Sequence, residues 1–332
     1  MNCTSASPDK THLNTLDIAV LHTLMYFDIF RHPLTTDEIH RNCQWESCSL
    51  TDIAVSLEKL QLRGVIANAE GFWFLSGNEK NINLRLDRQE RALQFQSKAK
   101  KYSRLIASFP FVRGVAVSGS LSKGTMDKDG DIDYFIITEP GRLWIARTML
   151  VLFKKIFLLN SKKYFCVNYF IDSDRLTIPD RNLFVATEIA FLRPMINRKI
   201  YNEFASANKW VSLFYPNREL RPRLAVSEVV PGFFKRNMEK MLSKNLGEWL
   251  DEKCLRLTLK RWSKKFPHLS DLEFDLDFRS KKSVSKHHPQ GFQRKVVVEI
   301  EKRKGMILEQ YGILVPAMRW EWTCENDSVK KV

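Results

Sequence analysis

The first quarter of the chain has the polar and apolar pattern of a small helical domain. A first amphipathic helix is predicted from apolar side chains that recur about every 3.6 residues, at Leu16, Val20, Leu24 and Phe27. Thr35 or Thr36 can cap a second helix, and Ser49 can cap a third. Short apolar runs on either side of Gly71 predict a hairpin. Residues 13–78 are therefore expected to form three helices followed by two strands.

The next segment, residues 79–108, is predicted to be one long connecting helix. Its apolar stripe consists of Ala92, Phe95, Ala99, Tyr102 and Ile106. Its other faces are strongly basic, with Arg85, Arg88, Arg91, Lys98, Lys100, Lys101 and Arg104. A basic face of this kind either contacts nucleic acid or is simply solvated, and the sequence leaves both interpretations open.

The centre of the chain alternates strand-like runs with helical segments. Residues 112–118 and 134–137 are apolar and rich in β-branched side chains, so both are expected to be strands. A mostly buried helix is expected at 143–159 and a further strand at 164–171. The domain limits that we expect are a flexible tail at 1–12, the helical domain at 13–78, the connecting helix at 79–108, a central domain at 109–215, a linker at 216–232 and a mainly helical C-terminal region at 233–332.

A glycine-serine turn is the first feature of the central domain that indicates chemistry. The predicted strand 112–118 leads directly into Gly119 and Ser120. Gly119 permits a tight turn and close approach to a ligand, while Ser120 offers a hydroxyl and backbone amides at the start of a short helix. This arrangement suits phosphate binding, and we assign Lys123 in the following loop to the same nucleotide site.

A pair of carboxylates, Asp131 and Asp133 on either side of Ile132, is the second such feature. Residues i and i+2 of a strand share a face, so both carboxylates should point to one place beside the turn. Two close carboxylates repel each other unless a cation neutralises them. Oxygen ligands that lie next to a phosphate site suit magnesium.

A calcium-binding loop is one alternative for the acidic segment, because its aspartates alternate from Asp127 onward. An EF-hand loop needs glycine at its sixth position and glutamate at its twelfth. Counted from Asp127, those positions hold Ile132 and Thr138, so the spacing argues against an EF-hand. A purely structural acidic turn is the other alternative.

The segment VSGSLSKGTMDKDGDIDYFIIT resembles the nucleotidyltransferase superfamily typified by DNA polymerase beta, in which a glycine-serine turn precedes two acids flanking an apolar residue. The resemblance implies an α+β fold with a mixed sheet and flanking helices. It also implies that Gly119 and Ser120 hold a nucleoside triphosphate. Asp131 and Asp133, as the catalytic residues, would hold Mg²⁺, or Mn²⁺ in its place.

Members of this superfamily that catalyse transfer usually place a third carboxylate on a neighbouring strand. In the predicted strand 164–171 that position holds Asn168, which can coordinate a cation through its carbonyl oxygen but cannot act as a base. Asp172 shares the strand face of Asn168 and could substitute only in a different register. Asp174 and Glu188 are more remote candidates.

The layout of residues 13–78 resembles a winged helix, a domain usually associated with DNA binding. The chain carries a formal net charge of +15, but residues 1–78 contain five Lys and Arg against nine Asp and Glu, a net charge of −4. The other 254 residues therefore carry +19. Because neutralisation of phosphates dominates DNA affinity, we favour a regulatory or protein-contact role for this domain. Nucleic acid contact is better supported for the basic residues of 79–332.

Two further observations concern location and the C-terminal region. The six cysteines lack the dense spacing of a secreted disulfide framework, and no signal peptide or transmembrane segment is predicted, which indicates a cytoplasmic protein. Lys286 and His288 lie in a basic segment that either binds a triphosphate and assists proton transfer or is an exposed loop.

These features together predict magnesium-dependent transfer of a nucleoside monophosphate from a nucleoside triphosphate to an acceptor hydroxyl, with release of pyrophosphate. The acceptor is a small molecule, a protein side chain or an RNA end. The alternative is a non-catalytic regulator that senses nucleotide and contacts DNA or protein through its winged helix. Asn168 is the residue that supports this alternative.

Overall fold

The computed structural model describes residues 13–44, 46–220, 226–267, 278–286 and 292–316. The predicted tail at 1–12 and the candidate residue His288 lie outside the described residues.

Each of the first three helices begins with a capping box, in which a polar side chain binds the backbone amide three residues further on. The helices are α1 (Thr15–Asp28), α2 (Thr36–Asn42) and α3 (Leu50–Leu62), capped by Asn14, Thr35 and Ser49. Strands β1 (Ile66–Ala69) and β2 (Phe72–Leu75) follow as an antiparallel hairpin, and Leu34 pairs with Trp73. The structure has the expected order of three helices and two strands, and assignment to the winged-helix family stays a prediction.

A long helix, α4 (Asn81–Ala107), joins this N-terminal domain to the central sheet. Near its start, Arg85 donates to both carboxylate oxygens of Glu38, at 2.7 and 2.8 Å, and to the carbonyl oxygen of Pro33. The Arg85 side chain is only 6% exposed. A bidentate pair in this setting is both strong and directional, so it fixes α4 against the N-terminal domain.

The next turn of α4 binds the acidic loop of the central domain as well. Arg88 donates to the carbonyl oxygen of Phe30 at 2.8 Å and to a carboxylate oxygen of Asp127 at 2.6 Å. Arg91 donates to the carbonyl oxygen of Met126 at 3.1 Å. The basic side chains at this end of α4 therefore bind protein groups of two domains.

The central sheet is mixed, and its described strands lie in the order β6-β3-β4-β5-β8-β7. They are β3 (Val112–Ser118), β4 (Asp133–Thr138), β5 (Cys166–Asp172), β6 (Arg193–Ile196), β7 (Ser280–Lys281) and β8 (Val284–Lys286). Strands β4 and β5 are parallel, and the other neighbouring pairs are antiparallel. The expected α+β fold with a mixed sheet is confirmed. Strands β6, β7 and β8 were not expected, because two to four residues are too few to show a strand period.

Helices cover both faces of the sheet. The remaining helices are α5 (Gly119–Ser122), α6 (Leu143–Phe157), α7 (Leu183–Ala190), α8 (Arg198–Ala207), a 3₁₀ helix (Lys209–Leu213), α9 (Phe233–Met241), α10 (Asn245–Lys265) and α11 (Phe292–Tyr311). One apolar core lies between the sheet and α4 and α6. The other joins the opposite face to α7, α8 and the N-terminal domain. No helix within the described ranges is long and apolar enough to cross a membrane.

Arg85→Ala should lower the free energy of unfolding by about 2–3 kcal/mol, because it leaves the Glu38 carboxylate half-buried without its partner. Arg104→Ala is the matched control on the exposed side of the same helix, and it should change stability by less than about 0.5 kcal/mol. Urea denaturation measures both variants. Equal losses of stability would show that the Arg85–Glu38 pair does not hold the two parts together.

Candidate active site

The turn after β3 brings the backbone directly against a carboxylate of β4. Ser118 pairs with Asp133 across the antiparallel strands, so Gly119 stands immediately beside Asp133. Gly119 has a φ of +65°, and a Cβ atom on it would lie 2.3 Å from Oδ2 of Asp133. The left-handed conformation favours glycine, and the close approach excludes any larger residue unless Asp133 moves.

Both predicted carboxylates reach the same place, together with a thiol. The carboxylate oxygens of Asp131 and Asp133 and the sulfur of Cys166 all lie within 4.8 Å of one another. Strand β4 begins at Asp133, so Asp131 belongs to the preceding loop and not to the strand on which the sequence placed it. Burial, and then the negative charge of Asp131, raise the pKa of Asp133 to about 7.

The position expected to carry a third carboxylate does lie beside Asp133, and it holds Asn168. The register of β4 against β5 shifts at this point, which places Asn168 in a bulge between the pairs Tyr134–Val167 and Phe135–Tyr169. The amide nitrogen of Asn168 donates to Oδ1 of Asp133. The thiol of Cys166 donates to Oδ1 of Asn168 at 3.0 Å. The Asn168 amide therefore bridges the thiol and the carboxylate.

Ser120 and Lys123 lie on the short helix after the turn and at its end. The ammonium group of Lys123 lies 2.7 Å from a carboxylate oxygen of Glu188 on α7 and donates to the carbonyl oxygen of Gly119 at 3.2 Å. The charge of Lys123 is therefore paired with Glu188, and a phosphate oxygen has to compete with that carboxylate or accept a hydrogen bond from the remaining N–H of the ammonium group. In the described part of the chain, the hydroxyl of Ser120 makes no hydrogen bond and is available to a ligand.

Asp172 does not join this cluster. It pairs with Thr138 at the far end of the parallel strands, whereas Asp133 pairs with Cys166 at the near end. Six residues of strand separate Cys166 from Asp172, which is about 20 Å. The Asp172 carboxylate accepts from the Thr138 hydroxyl at 3.0 Å and from the Gly141 amide at 3.4 Å. Its candidacy required a different register, which the structure does not have.

Lys286 lies at the end of β8 and pairs with Tyr169, next to Asn168. Two strand spacings separate it from β4, or about 10 Å across the sheet. It therefore lies outside contact distance of Asp133. His288 is among the residues that the structure does not describe.

The donor groups at Asp131 and Asp133 fit a divalent cation. Neither carboxylate forms an ion pair with a lysine or arginine among the described residues. Two converging, partly buried carboxylates without a neutralising partner are unfavourable on their own, and a cation would relieve their repulsion. The absence of a side chain at Gly119 keeps the Asp133 carboxylate accessible beside the turn.

The family model of the nucleotidyltransferase domain matches residues 99–204. The chain contains a nucleotidyltransferase domain. The matched range includes the turn at Gly119, the loop with Lys123, both aspartates and Asn168. No curated protein and no solved structure matches the chain.

Two residues of this nucleotidyltransferase domain stand closer to the site than the sequence indicated. Cys166 belongs to the cluster, although the sequence marks it only as one of six scattered cysteines. Cys166 lies two residues before Asn168 on the same predicted strand, so the two side chains share a strand face, and this spacing could have indicated that Cys166 is near the site. Glu188 lies at the turn because it forms an ion pair with Lys123. The sequence does not predict this pair, because the two residues are far apart along the chain.

Gly119→Ala should abolish binding of cation and nucleotide, because the added methyl group displaces the Asp133 carboxylate. Gly124→Ala is the matched control, since Gly124 also has a positive φ, +75°, but a Cβ there meets nothing within 4 Å. Both variants should lose about 1 kcal/mol of stability from backbone strain. Calorimetric titration with MnATP and thermal unfolding measure the two effects. Equal nucleotide affinity in the two variants would contradict a role for the close approach.

Proposed function

We propose that the protein transfers a nucleoside monophosphate from a nucleoside triphosphate to an acceptor hydroxyl and releases pyrophosphate, with Mg²⁺ or Mn²⁺ as cofactor. The observation that carries the proposal is the contact of Gly119 with Asp133 in a nucleotidyltransferase domain. This contact supports the proposal because it sets a glycine-serine turn suited to phosphate beside a pair of carboxylates suited to a cation.

In this proposal, separate groups of the chain bind the phosphate chain and the cation. The Ser120 hydroxyl and the backbone at Gly119 bind the phosphate chain, and Lys123 adds a positively charged donor. Asp131 and Asp133 would hold the cation. A bound divalent cation stabilises the charge that develops on the attacking and leaving oxygens. The contribution of the chain is to orient these groups before the nucleotide arrives.

The acceptor is an anionic or nucleic-acid-like molecule in this proposal, because residues 79–332 carry a net charge of +19. An acidic small molecule, a side chain of an acidic protein and an RNA end all meet this description. Of the basic side chains on α4, Arg85, Arg88 and Arg91 pair with carboxylates of the protein itself. An acceptor therefore has to use the basic residues beyond them.

A nucleotide-sensing regulator without transfer activity is the second candidate, and one contact favours it. Asn168 stands where active members of the superfamily place a carboxylate, and its amide nitrogen donates to Asp133. An amide cannot accept the proton of an attacking hydroxyl. In this candidate, nucleotide binding changes how the N-terminal domain contacts DNA or a protein partner.

Asp131→Asn and Asp133→Asn should each lower nucleotide transfer by more than about 100-fold, since each removes a charged cation ligand and keeps the side-chain shape. Asp129→Asn is the matched control, because Asp129 is exposed in the same loop. The assay is transfer of label from each nucleoside triphosphate, in turn, to a cell extract. Full activity in both site variants would refute the assignment.

One measurement separates transfer from sensing. The protein is incubated with labelled nucleoside triphosphate, magnesium and extract, and both bound nucleotide and released pyrophosphate are quantified. If the protein catalyses transfer, the amount of pyrophosphate released should equal the amount of labelled acceptor formed. Saturable binding that depends on Asp131 but gives no pyrophosphate supports the sensor.

A further inference from the structure

Cys166 lies directly beside the two carboxylates of the candidate active site. It is the residue of β5 that pairs with Asp133 on β4. Neighbouring strands are about 4.8 Å apart, so paired residues bring their side chains close together. The sulfur lies within 4.8 Å of carboxylate oxygens of both Asp131 and Asp133. Within the described part of the chain, these three side chains form the group that could hold a metal ion.

The spacing of these donor atoms is close to that of a single coordination sphere. A divalent cation of the zinc class binds oxygen at about 2.1 Å and thiolate sulfur at about 2.3 Å, so two donors on one ion are at most about 4.4 Å apart. Donors already within 4.8 Å need only a small contraction to meet this requirement.

The other candidates for a third ligand are less well placed. Glu188 is ion-paired with Lys123. Asp172 lies at the opposite end of β5. Asn168 uses its amide nitrogen on Asp133 and its carbonyl oxygen on the Cys166 thiol. Among the described residues, Cys166 is the remaining side chain that faces both aspartates and can supply a negative charge.

We propose that Cys166 is the third protein ligand of this site and binds the cation as a thiolate. The sulfur–metal bond forms as the S–H proton leaves to water, and no oxidation or reduction takes place. This inference rests on the proposed function only in that both require a cation at Asp131 and Asp133.

A thiolate ligand changes which cation the site prefers. Mg²⁺ takes oxygen ligands in a near-octahedral arrangement, whereas thiolate selects softer ions such as Zn²⁺. A site with two carboxylates and one thiolate should therefore bind Zn²⁺ or Cd²⁺ more tightly than Mg²⁺. If Cys166 is only a packing residue, the preference for these ions should be the same in the wild type and in Cys166→Ser.

Titration of the full-length protein with Cd²⁺ alone tests the proposal, with the ultraviolet thiolate-to-cadmium charge-transfer band as the signal. The wild type should show a band that saturates, and Cys166→Ser should abolish it because serine has no thiolate. Cd²⁺ affinity at the two aspartates, measured by competition with Mn²⁺, should fall at least about tenfold in the same variant. Asp131→Asn should weaken the Cd²⁺ binding that gives the band. Cys254→Ser, which changes a half-buried cysteine on α10, should leave it unchanged. Mg²⁺ affinity, measured by competition with Mn²⁺ in electron paramagnetic resonance, should be nearly equal in Cys166→Ser and the wild type.

A band that is unaltered by Cys166→Ser would overturn the proposal, as would equal losses of Cd²⁺ and Mg²⁺ affinity. If Cys166→Ser does not fold, Asp131→Asn carries the test, because a band that is independent of Asp131 would place the cadmium thiolate elsewhere. The outcome is distinguishable from that of the proposed function. Transfer that depends on Asp131, together with a band insensitive to Cys166, refutes the thiolate ligand alone. A Cys166-dependent band without transfer refutes only the catalytic proposal.

Discussion

The contact between the backbone of Gly119 and the carboxylate of Asp133 is the constraint on which the site depends. Pairing of Ser118 with Asp133 sets it, and a Cβ atom at position 119 would lie 2.3 Å from the carboxylate. One strand pair therefore fixes the distance between the glycine-serine turn and the Asp133 carboxylate. Lys123 follows on the same turn, and Asp131 precedes the same strand. Residues that are separated along the chain thus form one site through a single antiparallel register.

The acidic loop between the turn and β4 is also held from outside the central domain. The backbone amide of Met126 donates to the carbonyl oxygen of Arg88 at 3.0 Å, and Asp127 pairs with the Arg88 side chain. Arg88 in turn binds Phe30 of the N-terminal domain, one helical turn from the Arg85–Glu38 pair. A displacement of the N-terminal domain would be transmitted to the loop that leads to the aspartates. This connection gives a physical basis for a regulatory role of that domain.

The sequence alone was sufficient for the parts of the structure that depend on short-range patterns. The caps at Thr35 and Ser49 and the turn before the two aspartates could be predicted because each lies within a few residues of the element it specifies. The sequence places Cys166 on the same strand as Asn168, but its position opposite Asp133 depends on the pairing of β4 with β5, which no short-range pattern specifies. The same register removes Asp172 from the site. Strands β7 and β8 were not predicted, because they are very short and join the sheet from a distant part of the chain.

The most direct test of a nucleotide and cation site at this point is a crystal structure with Mn²⁺ and a non-hydrolysable nucleoside triphosphate. Anomalous scattering locates the manganese without reference to the protein model. The account predicts a manganese peak within bonding distance of Asp131 and Asp133, and phosphate oxygens against Gly119 and Ser120. Nucleotide bound elsewhere, or a fully occupied nucleotide site with no manganese at the two aspartates, would contradict it.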